Sequence, residues 1–349
     1  MKILHVVRRY GPVGGMERYV WEVTRELQQL GHQVEVLCER CHTEKPEGIA
    51  VYELGEIAPR PRWLSLLRFG ARAADWLKAH PHPGWLIHSH ERLGVHHVTT
   101  FHGPPFATVF EKPYWRLLSL RVWMQLYLER RELSASTAIV PNSVAIRRQL
   151  AHYYPAQSVK LTQPVVPGVA ATTPRAWRAV APDGGVIGFV GKEWQRKGLP
   201  LAVEIAAQLR RSRPELELWV VGPEPEQVRH LFAGWNGGYR LLGWSDKSHF
   251  ADFDVLLHPA KAEPYGMVIS EAMAAQVPVV VSDVCGAAVH VTAASGAVLP
   301  LGADTTIWAK AVDSQLRRPS TPPSFMRGWR EVAQEYETIY RQCLNGEAK

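Results

Sequence analysis

The chain has 349 residues, 46% hydrophobic and 21% charged, an ordinary globular composition long enough for two domains. These figures exclude disorder, collagen and coiled coil, and no apolar run reaches the roughly 18 residues that a membrane span needs. The formal net charge of +7 lies wholly in residues 1–165, with 21 Lys and Arg against 14 Asp and Glu; residues 166–349 carry 19 of each.

Lys2-Ile3-Leu4-His5-Val6-Val7 opens the chain as a short apolar run, the signature of a buried parallel strand. It is too short for a signal-peptide core, and Arg8 and Arg9 close it, so a protein that stays where it is made is expected. A glycine-rich turn, Gly11-Pro12-Val13-Gly14-Gly15, leads into a helix predicted over about 16–30, with Val20, Val23, Leu27 and Leu30 at spacings of three and four. Gly31 stops it, and Val34–Leu37 begins the next strand. Strand, glycine loop, helix, strand is the first unit of a doubly wound sheet. Trp85–His88, Val95–Phe101 and Ala138–Val140 are further strand candidates. Cys38 and Cys41 form a lone C-x-x-C, while Cys285 and Cys343 stand apart; zinc needs four ligands, so reduced thiols are expected.

Pro164, Pro167, Pro174 and Pro182 punctuate a stretch that holds no regular element and reads as a linker. The pattern then restarts. Val186–Val190 is a strand leading to Gly191, and a loop ending at Gly198 precedes a helix with Leu201, Ile205 and Leu209 on one face. Leu216–Val221, Val255–Leu257 and Val277–Val281 are more strands, and Phe325–Leu344 a final amphipathic helix. The reading is an α/β chain of two Rossmann-like doubly wound domains: 1–165, 166–325, and a helix over 326–349 that crosses back to the first domain.

The chemistry concentrates between Asp254 and Gly286. A buried strand ends at His258-Pro259, a loop carries Glu263, Gly266 opens a helix, and Glu271 lies inside that helix. Ligands of open parallel sheets bind beyond the carboxyl ends of the strands, where this loop falls. Backbone N–H groups of Gly266, Met267 and Val268 at the helix start suit a diphosphate. Glu271, about one turn further on, can accept hydrogen bonds from ribose hydroxyls. Two carboxylates near a diphosphate are tolerable when each meets a hydroxyl, and a nucleotide sugar supplies hydroxyls on both its sugars.

Glu263 and Glu271, with seven residues between them, resemble the E-x7-E element of the family 4 retaining glycosyltransferases of the GT-B fold, and HPAKAEPYGMVISEAMAAQVPVVVSDVCG is similar to that family throughout. Leu257-His258-Pro259-Ala260, Val284-Cys285-Gly286, and Arg196-Lys197-Gly198 after Phe189-Val190-Gly191 make the lipopolysaccharide core glucosyltransferases the most similar branch. The resemblance implies that Arg196 and Lys197 bind the donor diphosphate and stabilise it as leaving group, which agrees with the charge built up as a nucleoside diphosphate departs. It implies that Glu263 meets the donor sugar hydroxyls and Glu271 the ribose. Gly14 and Gly15 match the glycine loop that closes over the donor phosphates across a central cleft. His102, in Thr99-Thr100-Phe101-His102-Gly103, matches a histidine that in many members lies by the anomeric carbon. Three positions depart from the family: Lys192 for arginine, Gln276 for glycine before Val277-Pro278, and Pro167 in a segment where asparagine is commoner.

His88, His90, His96 and His97 crowd near His102, but no acidic or cysteine ligand lies beside them, and no metal is expected. Asp252-Phe253-Asp254 has metal-motif spacing, yet Asp254 fits the strand entry better. Between Arg60 and Arg148 there are 13 Lys and Arg against 5 Asp and Glu, and Tyr114–Arg131 interleaves aromatic and leucine residues with arginine, as an interfacial helix does. A core helix with a solvated basic edge fits that stretch equally.

The expectation is therefore a metal-independent hexosyltransferase with no cofactor. Its donor is a nucleoside diphosphate sugar, a UDP-sugar favoured, and its acceptor a lipid-linked or phosphorylated glycan such as the lipopolysaccharide core of the bacterial cell envelope. It is expected in the cytoplasm, peripheral on the inner face of the cytoplasmic membrane, docked on anionic lipid through its basic half; nucleic acid is not a partner. A nucleotide-sugar epimerase and a non-catalytic binder of glycan or membrane are the alternatives. An NAD oxidoreductase is disfavoured, because Gly14-Gly15 lacks the full dinucleotide spacing. Sugar identity stays open, since hexoses differ by a hydroxyl orientation or one substituent.

Overall fold

A computed structural model describes residues 1–245 and 248–346. The chain divides into two compact units, residues 1–168 together with 328–349, and residues 169–327. The first unit is thus completed by the last helix of the chain.

Six strands form the sheet of the first unit: β1 (Lys2–Val6), β2 (Gln33–Cys38), β3 (Ala50–Glu53), β4 (Leu86–Ser89), β5 (Val98–Phe101) and β6 (Ala138–Pro141). All pairings are parallel, in the order β3-β2-β1-β4-β5-β6. Ile3, Leu4 and Val6 are fully buried, as both faces of a parallel sheet require. The glycine turn feeds α1 (Gly15–Gln29), which buries Val20, Val23 and Leu27 and stops before Gly31 at φ +85°. Arg9–Tyr10 and Arg40–Cys41 add a short parallel pair beside the main sheet.

α2 (Arg62–Ala79), α3 (Leu120–Ala135) and α4 (Val144–Tyr153) follow. The expected strand over 95–101 is shorter, starting at Val98. The expected continuous helix from Tyr114 is two pieces: a 3-10 turn over Tyr114–Leu118 and then α3, broken at Ser119, whose backbone is extended. Ser119 backbone oxygen then accepts from Val122 N at 2.9 Å.

The second unit repeats the plan. β7 (Gly184–Val190), β8 (Glu215–Val221), β9 (Tyr239–Gly243), β10 (Val255–His258), β11 (Val279–Ser282) and β12 (Gly296–Leu299) pair in parallel in the order β9-β8-β7-β10-β11-β12. α5 (Leu199–Leu209), α6 (Met267–Ala274) and α7 (Thr305–Leu316) accompany it. Ile187, Phe189, Ile205, Leu218, Val280 and Trp308 share one core. Both sheets therefore reverse direction once, between β1 and β4 and between β7 and β10, and each reversal opens a crevice at the carboxyl ends of those strands.

β11 begins two residues later than its apolar run. Gln276 holds φ +58°, the one non-glycine residue at positive φ among the described residues, and its amide donates to Pro322 oxygen at 3.1 Å. The family's glycine at this position is thus explained by the left-handed backbone that this chain keeps with a glutamine.

α8 (Trp329–Leu344) starts four residues after the predicted point, because Phe325 N donates to Met273 oxygen at 3.2 Å within the second unit and Gly328 caps the helix. α8 packs on α1 of the first unit, burying Trp329, Val332, Ala333, Tyr336, Ile339 and Tyr340. Each large side chain on that face is worth about 1.5–3 kcal/mol of burial. Polar ends are satisfied as well. Tyr336 hydroxyl lies 2.9 Å from Tyr19 hydroxyl and 2.8 Å from Thr100 Oγ1, and Tyr340 hydroxyl 2.6 Å from His88 Nδ1.

Candidate functional site

In the second unit, the loop after β7 and the loop after β10 are fastened together by glycine and backbone. Gly198 takes φ +83°, and a Cβ there would overlap the Pro259 carbonyl; Lys261 N donates to Arg196 oxygen at 2.8 Å. A Cβ on Gly286 would overlap Pro264 oxygen, and Gly286 N donates to Glu263 oxygen at 3.0 Å. Gly191 leaves space that Lys197 fills.

Four side chains meet as a result. Glu263 Oε2 lies 3.5 Å from Arg196 Nη1, 3.5 Å from Lys197 Nζ and 3.4 Å from His258 Nε2. Burial opposes ionisation of Glu263, but the His258 hydrogen bond and the charges of Lys197 and Arg196 outweigh it and pull the carboxyl down to about 2. His258 is fully buried, and burial lowers its own pKa, so it serves as a neutral N–H donor. Arg196 also reaches Glu193 and the Ala262 carbonyl.

α6 starts on Gly266 at φ +96°, directly after this cluster. Its first turn, Met267 and Val268, directs backbone N–H groups out of the helix end, where an anion is favoured. Glu271 sits one turn on, half-buried. The structure thus brings Arg196, Lys197 and Glu263 into one cluster, next to the helix end formed by Gly266, Met267 and Val268. Sequence reasoning missed His258 as the fourth member. A polar residue ending a fully apolar strand was the available signal.

In the first unit, Gly14 caps α1 with extended backbone, and a Cβ there would press on Glu17, which is paired with Arg9. Gly15 faces open space. His102 follows β5, and its carbonyl accepts from Asn142 Nδ2 at 3.2 Å. A cavity of about 750 Å³ lies here, lined by His102, His90, Glu91 and the arginines 8, 9, 62, 92 and 121 among others. Arg8 pairs with Glu39 at 3.0 Å and Arg92 with Glu132 at 2.7 Å. Burial pushes the Glu91 carboxyl up to about 7, against the pull of Arg8. Arg62 and Arg121 make no ion pair among the described residues.

The histidines sort differently from their spacing. His5, from β1, joins His88 and His90, with one nitrogen of each within 4.8 Å. These rings are committed to hydrogen bonds: His88 to Tyr340 and Thr100, His90 to His5 and His102. His97 Nδ1 accepts from Ile87 N instead. Asp254 pairs with Arg175 and Arg178 at the strand entry and so stays structural. The four cysteines are free thiols.

Residues 13–164 match the model of glycosyltransferase family 4, and residues 184–318 that of the group 1 glycosyl transferases. The chain is a family 4 glycosyltransferase. It is 26% identical to the D-inositol 3-phosphate glycosyltransferase of Acidothermus cellulolyticus, over 96% of this chain and 87% of that protein. It is 31% identical to the lipopolysaccharide glucosyltransferase WaaG of Escherichia coli, over 42% of this chain and 40% of WaaG. The crystal structure of a WaaG superposes with a TM-score of 0.77 at 18% identity, covering 99% of this chain and 98% of that one. Anabaena HepE, solved with UDP-glucose, superposes at 0.69 with 15% identity, covering 100% and 99%. The glycosyltransferase therefore has the GT-B fold, two Rossmann-like parallel-sheet domains. No helix among its described residues is long and apolar enough to cross a membrane.

Proposed function

We propose that this glycosyltransferase moves a hexose from a nucleoside diphosphate sugar, a UDP-sugar favoured, to a phosphorylated glycan acceptor, with retention of configuration and without a metal. The observation that carries the reading is the Glu263 cluster: an ionised carboxylate held among His258, Arg196 and Lys197, beside the N-terminus of α6. The cations suit a departing diphosphate, the helix end suits its oxygens, and Glu263 is left as an acceptor for sugar hydroxyls. Glu271 is the acceptor for the ribose. Gly14 and Gly15 supply the close backbone approach to the donor phosphates, and His102 meets the donor sugar.

Glu263 is not assigned as a nucleophile, because its Oε2 is already engaged by three groups. The acceptor oxygen attacks the anomeric carbon on the face from which the diphosphate leaves. The C–O bond to phosphate breaks with its electron pair on the phosphate, whose oxygen takes the acceptor proton. Glycosidase chemistry with two flanking carboxylates does not apply.

A phosphorylated acceptor is supported by the cavity of the first unit, where Arg62 and Arg121 make no ion pair among the described residues and burial pushes the Glu91 carboxyl up to about 7, so that about half its negative charge is withdrawn near neutral pH. Lipopolysaccharide core is the favoured acceptor. The inositol 3-phosphate named for the relatives above has the same phosphate chemistry on a small soluble ring, and keeps a smaller acceptor in view. Membrane docking belongs to the proposal too. Tyr114, Trp115 and Leu118 are 78%, 60% and 83% exposed, beside Lys112, Arg116 and Arg121. Apolar side chains among basic ones suit the anionic inner face of the cytoplasmic membrane.

The test is a transfer assay with UDP-, GDP- and ADP-sugars, in EDTA, against core oligosaccharide before and after phosphatase. The expected product is an extended phosphorylated oligosaccharide with the donor's anomeric configuration. Turnover of nucleotide sugar without acceptor would make the protein an epimerase. Absence of nucleotide binding, with vesicle or glycan binding retained, would make it a non-catalytic binder.

A further inference from the structure

Three imidazoles of the first unit are joined end to end. His5 Nδ1 lies 3.0 Å from His90 Nε2, and His90 Nδ1 lies 2.9 Å from His102 Nε2. Sheet register creates the arrangement. β1 and β4 pair with His5 opposite His88, and the His90 ring, two residues on, lies within 11° of parallel to the His5 ring with centroids 5.3 Å apart, as two rings hydrogen-bonded in a common plane do. His5 and His90 are buried, and burial keeps both rings neutral at ordinary pH. His102 lines the acceptor-side cavity.

A neutral imidazole has one N–H and one acceptor nitrogen. Two hydrogen bonds through three such rings therefore admit two proton arrangements, with every donor pointing towards His102 or every donor pointing towards His5. His5 Nε2 discriminates between them. It is buried and has no hydrogen-bond partner among the described residues. Donors pointing towards His5 would place an N–H on that atom with nothing to receive it, and orphaned buried N–H groups are rare in folded proteins. Donors pointing towards His102 put the proton of His5 on Nδ1, where it is used. His102 then accepts at Nε2 and carries its proton on Nδ1, the ring's remaining polar atom.

We propose that His90 and His5 are positioning residues for His102: the imidazole chain fixes its neutral, Nδ1-protonated tautomer, so that the ring offers substrate a hydrogen-bond donor. The His102 ring is held in one orientation by the same contact, and Tyr19 meets its edge with centroids 5.0 Å apart. Only the identity of the substrate rests on the transferase reading above; the tautomer does not.

Two-bond nitrogen–proton NMR of histidine-labelled protein, without substrate, reads the tautomer directly. His102 is expected to show a protonated Nδ1 and an unprotonated Nε2 in the wild type. In His90→Phe the two forms should mix, and kcat should fall about tenfold or more while the donor KM changes far less. His90→Gln keeps one donor and one acceptor and should recover part of the loss. A wild-type His102 protonated at Nε2 would overturn the proposal, as would an unchanged tautomer in His90→Phe. If His90→Phe does not fold, the wild-type spectrum still decides. Stoichiometric zinc that raises Tm and shifts the His5, His88 and His90 signals together would make the cluster a metal site and overturn it equally. A correct tautomer in a protein that transfers no sugar would remove the transferase reading and leave the chain of rings standing.

Discussion

The Lys197 side chain runs through the space that a Cβ on Gly191 would occupy. Gly191 also takes φ +150°, so the end of β7 has no side chain and the lysine crosses it to reach Glu263. Gly191→Ala should displace the ammonium from the carboxylate while leaving the sheet intact. Affinity for a nucleoside diphosphate should fall at least tenfold, about 1.4 kcal/mol, in calorimetric titration. Unchanged affinity would separate Lys197 from nucleotide binding.

Glu263→Gln keeps the shape and removes the charge that balances two cations. Transfer should fall by a hundredfold or more, with a smaller change in donor KM. The carboxyl's depressed pKa also has a stability consequence. Its ionised form is favoured in the folded state, so the contribution is complete above the unfolded value near 4.5 and is lost as pH falls towards about 2. At neutral pH it amounts to about 3 kcal/mol. Urea unfolding between pH 6 and 3 should be steeper in pH for wild type than for Glu263→Gln.

His5, His88 and His90 give a larger acid effect. Burial lowers the pKa of each, so below 6.5 the unfolded chain takes up protons that the folded one refuses. Stability is present above pH 6.5 and lost as pH falls below it, at about 1.4 kcal/mol per pH unit for each ring once well below 6.5. Three rings together give about 4 kcal/mol per unit. Between pH 7.5 and 5.5 each such ring contributes about 1.4 kcal/mol in total, and His96 and His102, also depressed by burial, add to the three. The free energy of unfolding should drop by at least about 4 kcal/mol over that range, and His5→Phe should reduce the drop by about 1.4 kcal/mol.

Tyr336→Phe deletes a hydroxyl that meets both Tyr19 and Thr100 inside the first unit. The loss should be about 0.5–1.5 kcal/mol per hydrogen bond, because Thr100 and Tyr19 keep other partners. Removing 328–349 altogether strips the apolar face from α1, and should abolish cooperative unfolding of the first unit while the second still melts on its own. A single unchanged transition in calorimetry would contradict that division.

Most of the parallel strands were legible as short apolar runs, β7 and β8 with a glycine directly after them. β3, β9 and β12 were not, since Ala50–Glu53, Tyr239–Gly243 and Gly296–Leu299 lie at sheet edges and carry exposed positions without a clean apolar run. Glu263, Arg196 and Lys197 were legible through their motif. His258 was noted only as a strand end, because its partnership with Glu263 depends on a loop folding back over five residues. His5 stayed invisible for a different reason. It lies 85 residues from His90, and only the neighbouring of β1 and β4 unites them. The composition of Tyr114–Arg131 gave no hint of the break at Ser119, since no glycine or proline marks it.

The return of α8 to the first unit reverses the order in which the halves can mature on the ribosome. The second unit has its whole sequence once residue 327 has emerged. The first, although translated before it, lacks Trp329, Tyr336 and Tyr340 until the second has emerged in full. During that interval its α1 carries an uncovered apolar face, a surface for chaperones to hold. A premature stop between codons 329 and 344 would therefore damage the first unit while sparing the second.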